Sequence, residues 1–133
     1  MKREELMIND IVFDYTNSPV KVCAVGQDIV VKNSFGIGSL DPNELSSIPL
    51  TEEILVKNGF ERHPLWHHCT LEVGDGSKIY IPLACGGGIE YVSIYKHSEE
   101  LTTRDIDIQI PIHYVHQLQH LLRLAGIEKE IEL

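Results

Sequence analysis

The chain has 133 residues, 43% of them hydrophobic and 23% charged, values that belong to a globular protein and exclude a disordered one. Its 11 Lys+Arg against 20 Asp+Glu give a formal charge of −9, the wrong sign for non-specific binding to nucleic acid. No apolar run approaches the roughly 20 residues that cross a bilayer, so no membrane segment is expected.

The opening Met1-Lys2-Arg3-Glu4-Glu5 has charges with no apolar stretch behind them, unlike a signal peptide. Residues 6–40 read as short strands with turn punctuation. Ile8 to Phe13 reads as a strand, Asn17-Ser18-Pro19 as a turn, and Val20 to Val25 as an alternating strand. Gly26-Gln27-Asp28 turns the chain into Ile29-Val30-Val31. Gly36 and Gly38 interrupt a fourth strand around Phe35–Leu40, and Asp41-Pro42-Asn43 closes the unit. Residues 1–48 are therefore expected to form a small bent sheet or an SH3-like barrel.

A helix is expected over 51–58. Thr51 is a suitable N-cap, Glu52 and Glu53 suit the positive end of the dipole, and Gly59-Phe60 fits a left-handed C-terminal cap with its apolar contact. A meander follows. Residues 65–73 read as a strand with Leu65, His67, Cys69, Leu71 and Val73 on one face. Gly74-Asp75-Gly76-Ser77 and Gly86-Gly87-Gly88 read as turns, and residues 89–95 as a third strand. Ile106, Ile108 and Ile110 alternate with Asp105, Asp107 and Gln109 in a fourth. Pro111 opens a final helix over 112–125, ended by Gly126-Ile127 as the first is by Gly59-Phe60. The fold class is α+β. Residues 49–133 form an α-β-β-β-β-α unit with both helices on one sheet face.

Seven histidines are the chemistry worth weighing. In His63-Pro-Leu-Trp-His67-His68-Cys69 a strand would send His67 and Cys69 to one side and His68 to the other, which weakens a zinc site. On the last helix, His113, His116, His120 and Arg123 fall on a stripe about 80° wide, opposite the apolar face. His116 and His120 stand at i, i+4, a spacing that can chelate zinc, but the Glu of an H-E-x-x-H helix is replaced by Gln117 and Gln119. The ordinary reading of that stripe is a solvated face. Trp66, Tyr91, Tyr95 and Arg123 are the candidate interaction surface. Cys23, Cys69 and Cys85 are odd in number and lack a C-x-x-C, which fits a reducing cytoplasm and small buried thiols.

The segments Ile48–Phe60 and Tyr114–Gly126, with Glu5–Val12 at the start, resemble blocks of a family of short hypothetical proteins carried by phages and mobile elements of anaerobic gut bacteria. That resemblance implies a cytoplasmic accessory protein and no particular activity, cofactor or catalytic residue. The expected function is a non-enzymatic module that binds a protein partner, with homo-oligomerisation open. A metal-binding protein or metal-dependent hydrolase using His113, His116 and His120 is the first alternative. A nucleic-acid-binding accessory protein, using Lys21 and Lys32 on one patch, is the second.

Overall fold

Turn chemistry decides where the strands begin. In the computed structural model, which describes residues 1–73, 77–84, 88–96 and 106–133, two antiparallel sheets and two α-helices make an α+β protein. The chain divides into two compact units. The first comprises Met1–Pro49 and Tyr114–Glu128, the second Leu50–His113 and Lys129–Leu133. No helix among the described residues is long and apolar enough to cross a membrane.

The first unit holds strands β1 (Ile11–Phe13), β2 (Pro19–Val25), β3 (Ile29–Asn33) and β4 (Gly36–Leu40), paired in sequence order. The expected start at Ile8 moves to Ile11 because residues 7–10 close a tight turn. The Asp10 amide donates to the Met7 carbonyl at 3.1 Å, the Met7 amide donates to Asp10 Oδ2 at 2.8 Å, and Asn9 takes the left-handed region. Between β1 and β2, Asp14 Oδ1 accepts from the Thr16 and Ser18 amides and from the Thr16 hydroxyl, and Asn17 is again left-handed. These bonds hold the Asp14 carboxyl below its ordinary pKa, with the Thr16 hydroxyl the largest contributor. Between β3 and β4, Asn33 Oδ1 accepts from the Phe35 and Gly36 amides.

Alternation places Val12, Val20, Val22, Ile29 and Val31 on one face, where they cluster with Leu6 and Leu45. A register shift between Val22 and Ala24 bends β2. β1 and β4 are the two edges of this sheet. The unit also takes α2, which spans Val115–Leu124. This differs from the expected helix over 112–125 set on the second sheet. Pro111 is the last residue of a strand, Tyr114 is the N-cap with its amide on Gln117 Oε1, and the helix meets β1.

The second unit starts with α1 (Glu52–Lys57), capped as the sequence predicts. Thr51 Oγ1 accepts from the Ile54 amide at 3.3 Å. At the other end the Phe60 amide reaches the Leu55 carbonyl and the Gly59 amide the Val56 carbonyl, with Gly59 at φ 90°. The helix α2 ends identically: Ile127 to Leu122, Gly126 to Arg123, Gly126 at φ 73°. Six residues cannot hold a helix alone, so the cap matters. Thr51→Ala is expected to cost about 1 kcal/mol. Urea titration checks this; an unchanged midpoint would show that packing alone sets the helix.

Five strands follow in sequence order: β5 (Glu61–Arg62), β6 (His68–Val73), β7 (Ser77–Pro82), β8 (Tyr91–Lys96) and β9 (Ile106–Pro111). The helix α1 packs on β5 and β6. Cys69 pairs with Ile81 and Val92 with Ile110; Leu55, Phe60, Cys69, Ile79, Ile81 and Val92 are buried. The strand expected from Leu65 begins at His68, because His63 Nδ1 accepts the Leu65 and Trp66 amides and folds residues 63–66 into a turn. Pro111 ends β9 opposite Tyr91, at a sheet edge where a missing N–H is tolerated. Residues 74–76, 85–87 and 97–105 lie outside the described residues, and with them most of both glycine turns, Cys85 and Asp105.

Candidate functional site

The polar stripe of α2 is where the sequence reading and the structure part most clearly. Val115, Leu118, Leu121 and Leu122 are buried as expected, but so are His116 and Gln119 on the other side of the helix. That side is not solvated; it is bonded to the segment leading into β1. Gln119 Oε1 accepts the Ile11 amide at 2.9 Å, and its Nε2 donates to the Asn9 carbonyl at 3.0 Å. His120 Nε2 lies 2.7 Å from Asp10 Oδ2, and Arg123 Nη1 donates to Asp10 Oδ1 at 3.2 Å. Asp10 is 0% exposed. Both of its oxygens are therefore occupied, one by His120 and the Met7 amide, the other by Arg123. A buried charge is tolerated only with such partners.

His116 completes this cluster. It is 4% exposed, its ring stacks on Tyr114 at 5.9 Å and meets the His120 ring edge-on at 5.6 Å. Its Nδ1 is buried with no hydrogen-bond partner. Burial pushes its pKa below the ordinary imidazole value and His120 adds to that, while Asp10 and Glu5 pull the other way.

His113, named with His116 and His120 as a zinc candidate, belongs to the second unit, where its Nδ1 lies 3.1 Å from the Ile89 carbonyl. His116 and His120 belong to the first. Among the described residues no group of three or more His, Cys, Asp or Glu is placed to hold a metal ion. Arg123, expected on an interaction surface, is spent on Asp10.

The His63–Cys69 run is held by Arg62. Its guanidinium bonds Glu52 at 2.8 Å, the His63 and Trp66 carbonyls, and His67 Nδ1 at 3.2 Å. The His68 ring lies between those of His63 (4.9 Å) and Tyr80 (4.5 Å). Its pKa is lowered by burial first, then by His63 and Arg62. Cys69 is buried and its thiol pKa is raised, chiefly by that burial, so it is a poor nucleophile. Trp66 is exposed, but on the turn before β6 and not on a strand face. Tyr91 is half-buried and lines a depression with Glu90, Gln109, Pro111 and His113. Tyr95 lies on β8 opposite Lys78 and Asp107; its side chain is outside the described parts. Lys21 and Lys32 are direct cross-strand neighbours on β2 and β3.

A cluster of exposed apolar side chains lies elsewhere, on the first unit. Phe35 is 97% exposed, and Tyr15 and Ile37 are each 71%. All three line a groove of about 290 Å³ with Val20, Val31 and Leu40. Its origin is the glycine spacing. Gly38 pairs with Val31, so Gly36, Gly38 and Leu40 share the core side of β4. A Cβ built at Gly36 or Gly38 would meet nothing within 4 Å. Two absent side chains leave the core face open beside Val31. The signal was the alternation in Phe35-Gly36-Ile37-Gly38, which marks a strand bare on one side and apolar on the other. Sequence reasoning took those glycines as interruptions and missed the surface.

No family model, curated protein or solved structure matches this chain.

Proposed function

We propose that this chain is a non-enzymatic protein-binding module whose docking surface is the β4 edge. Its occupant is an extended apolar segment. The observation that carries the reading is the groove over Gly36 and Gly38, rimmed by Tyr15, Phe35 and Ile37. An edge strand offers unpaired backbone N–H and C=O groups to an incoming strand. Folded proteins usually guard such edges with Lys, Pro or a covering element; residues 35–40 contain neither Lys nor Pro. A strand added there finds backbone partners along β4 and a gap for one apolar side chain. A bent sheet of SH3-like kind would present that edge outward. The resemblance to phage and mobile-element proteins supports a cytoplasmic accessory role for such a module.

Selection of a random displayed peptide library against the full chain tests the reading. Extended peptides with apolar residues at alternate positions should be enriched. Their binding should be lost on Gly38→Val, which fills the gap at a position of ordinary φ with free space for a side chain. Absence of enrichment, or equal binding by Gly38→Val, would overturn it.

A further inference from the structure

The four strands of the first unit carry charge of one sign. In a chain of net charge −9, β1–β4 contain no Asp or Glu, and their only charged residues are Lys21 and Lys32. The two stand directly opposite each other on β2 and β3, where like charges repel. Among the described residues neither makes an ion pair. We infer that the strand taken up at the β4 edge carries an acidic residue between two apolar ones, a partner chemistry that rests on the docking reading above.

Register connects the lysines to that edge. Lys21, Lys32 and Ile37 form one row across β2, β3 and β4, on the face away from the valine core. Lys32 is exposed, and Ile37 ends the row at 71% exposure. A strand added to β4 continues the row with the residue opposite Ile37. Neighbouring strands lie about 4.8 Å apart, and the four-carbon stem of Lys32 is long enough to run along Ile37 and present its ammonium beyond it. A carboxylate at the added position meets that ammonium and offsets the repulsion between the two lysines. A lysine there would be a third like charge in the row.

The pleat fixes the flanking residues as well. Those on either side fall opposite Gly36 and Gly38, on the face where the missing side chains leave the gap, so apolar residues fill it. The order apolar, acidic, apolar holds whichever way the added strand runs. Distant charges of a −9 body oppose an acidic segment. At physiological salt they are screened beyond about 8 Å, whereas the Lys32 contact is direct.

Selection of the displayed library at about 150 mM salt, on the wild-type chain and on Lys32→Glu, tests this. Lys32 is exposed, and its replacement would face Lys21 with opposite charge, so the fold should survive. Peptides from the wild type should carry Asp or Glu between two apolar residues. Those from Lys32→Glu should carry Lys or Arg there. Resynthesised with Gln in place of the acid, the best wild-type peptide should bind about threefold more weakly, and with Lys about tenfold. Apolar-alternating peptides with no charge preference, or with the same preference on both chains, would sink the acidic strand and leave the docking surface standing. Acidic peptides without apolar alternation, still bound after Gly38→Val, would show simple attraction to lysine and overturn both readings. No enrichment on either chain would overturn both as well.

Discussion

Asp10→Ala should destabilise the protein by about 3 kcal/mol, a large share of the stability of a domain this size. Removing one member of a buried ion pair costs 3–5 kcal/mol in fully enclosed settings, because the other member is left uncompensated. Here the lower figure applies. The His120 and Arg123 side chains are 23% and 31% exposed, so water can partly replace the lost carboxyl. The Met7 amide has less recourse, since its acceptor disappears with the side chain. Asp10→Asn keeps the shape and an acceptor for Met7 while removing the charge, and should cost about half as much. Urea unfolding of both variants at neutral pH measures the effect. A loss under about 0.5 kcal/mol for Asp10→Ala would place this contact among ordinary surface substitutions.

Stability should also fall as the solution is acidified below about pH 6.5, and His116 should be the main cause. Its folded pKa is lowered, so the unfolded chain, with imidazole near 6.5, binds the proton first. Above pH 6.5 both states are neutral at this position and the stability is fully present. Below it, the unfolded state is favoured progressively until the folded pKa is passed. One proton limits the slope to about 1.4 kcal/mol per pH unit. The groups facing His116 are Asp10, His120, Glu5 and the Tyr114 ring, and burial outweighs the two carboxylates among them. His68 is half-buried and shifted the same way, so it adds a second contribution to the acid loss. Unfolding free energies at pH 7.5, 6.5 and 5.5 for wild type and His116→Phe separate the contributions. The variant should match or exceed wild type at pH 7.5, since an orphaned buried nitrogen is removed. Its acid slope should be shallower; identical slopes would exonerate His116.

The parts legible from sequence were those fixed by local chemistry. Thr51, Gly59-Phe60 and Gly126-Ile127 determine their helix ends through bonds a few residues long, and all three ends formed as expected. The valine alternation of β2 needed only the pleat, and a strand formed where one was expected around Ile106–Ile110. What escaped depended on distant partners. A stripe of His, Gln and Arg on a helix is usually solvated; here Gln119, His120 and Arg123 reach residues 9–11, some 110 positions away in sequence. Nothing in a 3.6-residue period announces that. The same limit hid the β4 groove. Gly36 and Gly38 carry no hydrophobic signal, and their meaning appears only when Val31 and Val20 are found beside the space they leave.

The pairing of α2 with the N-terminal sheet also bears on how the chain folds as it is made. The first unit is discontinuous, its two parts separated by the 64 residues from Leu50 to His113. During synthesis the strands β1–β4 emerge well before the partners that neutralise Asp10 and take up the Asn9 and Ile11 backbone. Closing so long a loop carries an entropic cost, and contacts of this separation slow folding. Until residue 123 is available, Asp10 must stay hydrated and the 7–11 segment unsettled. The second unit has most of its residues in one stretch and can consolidate first.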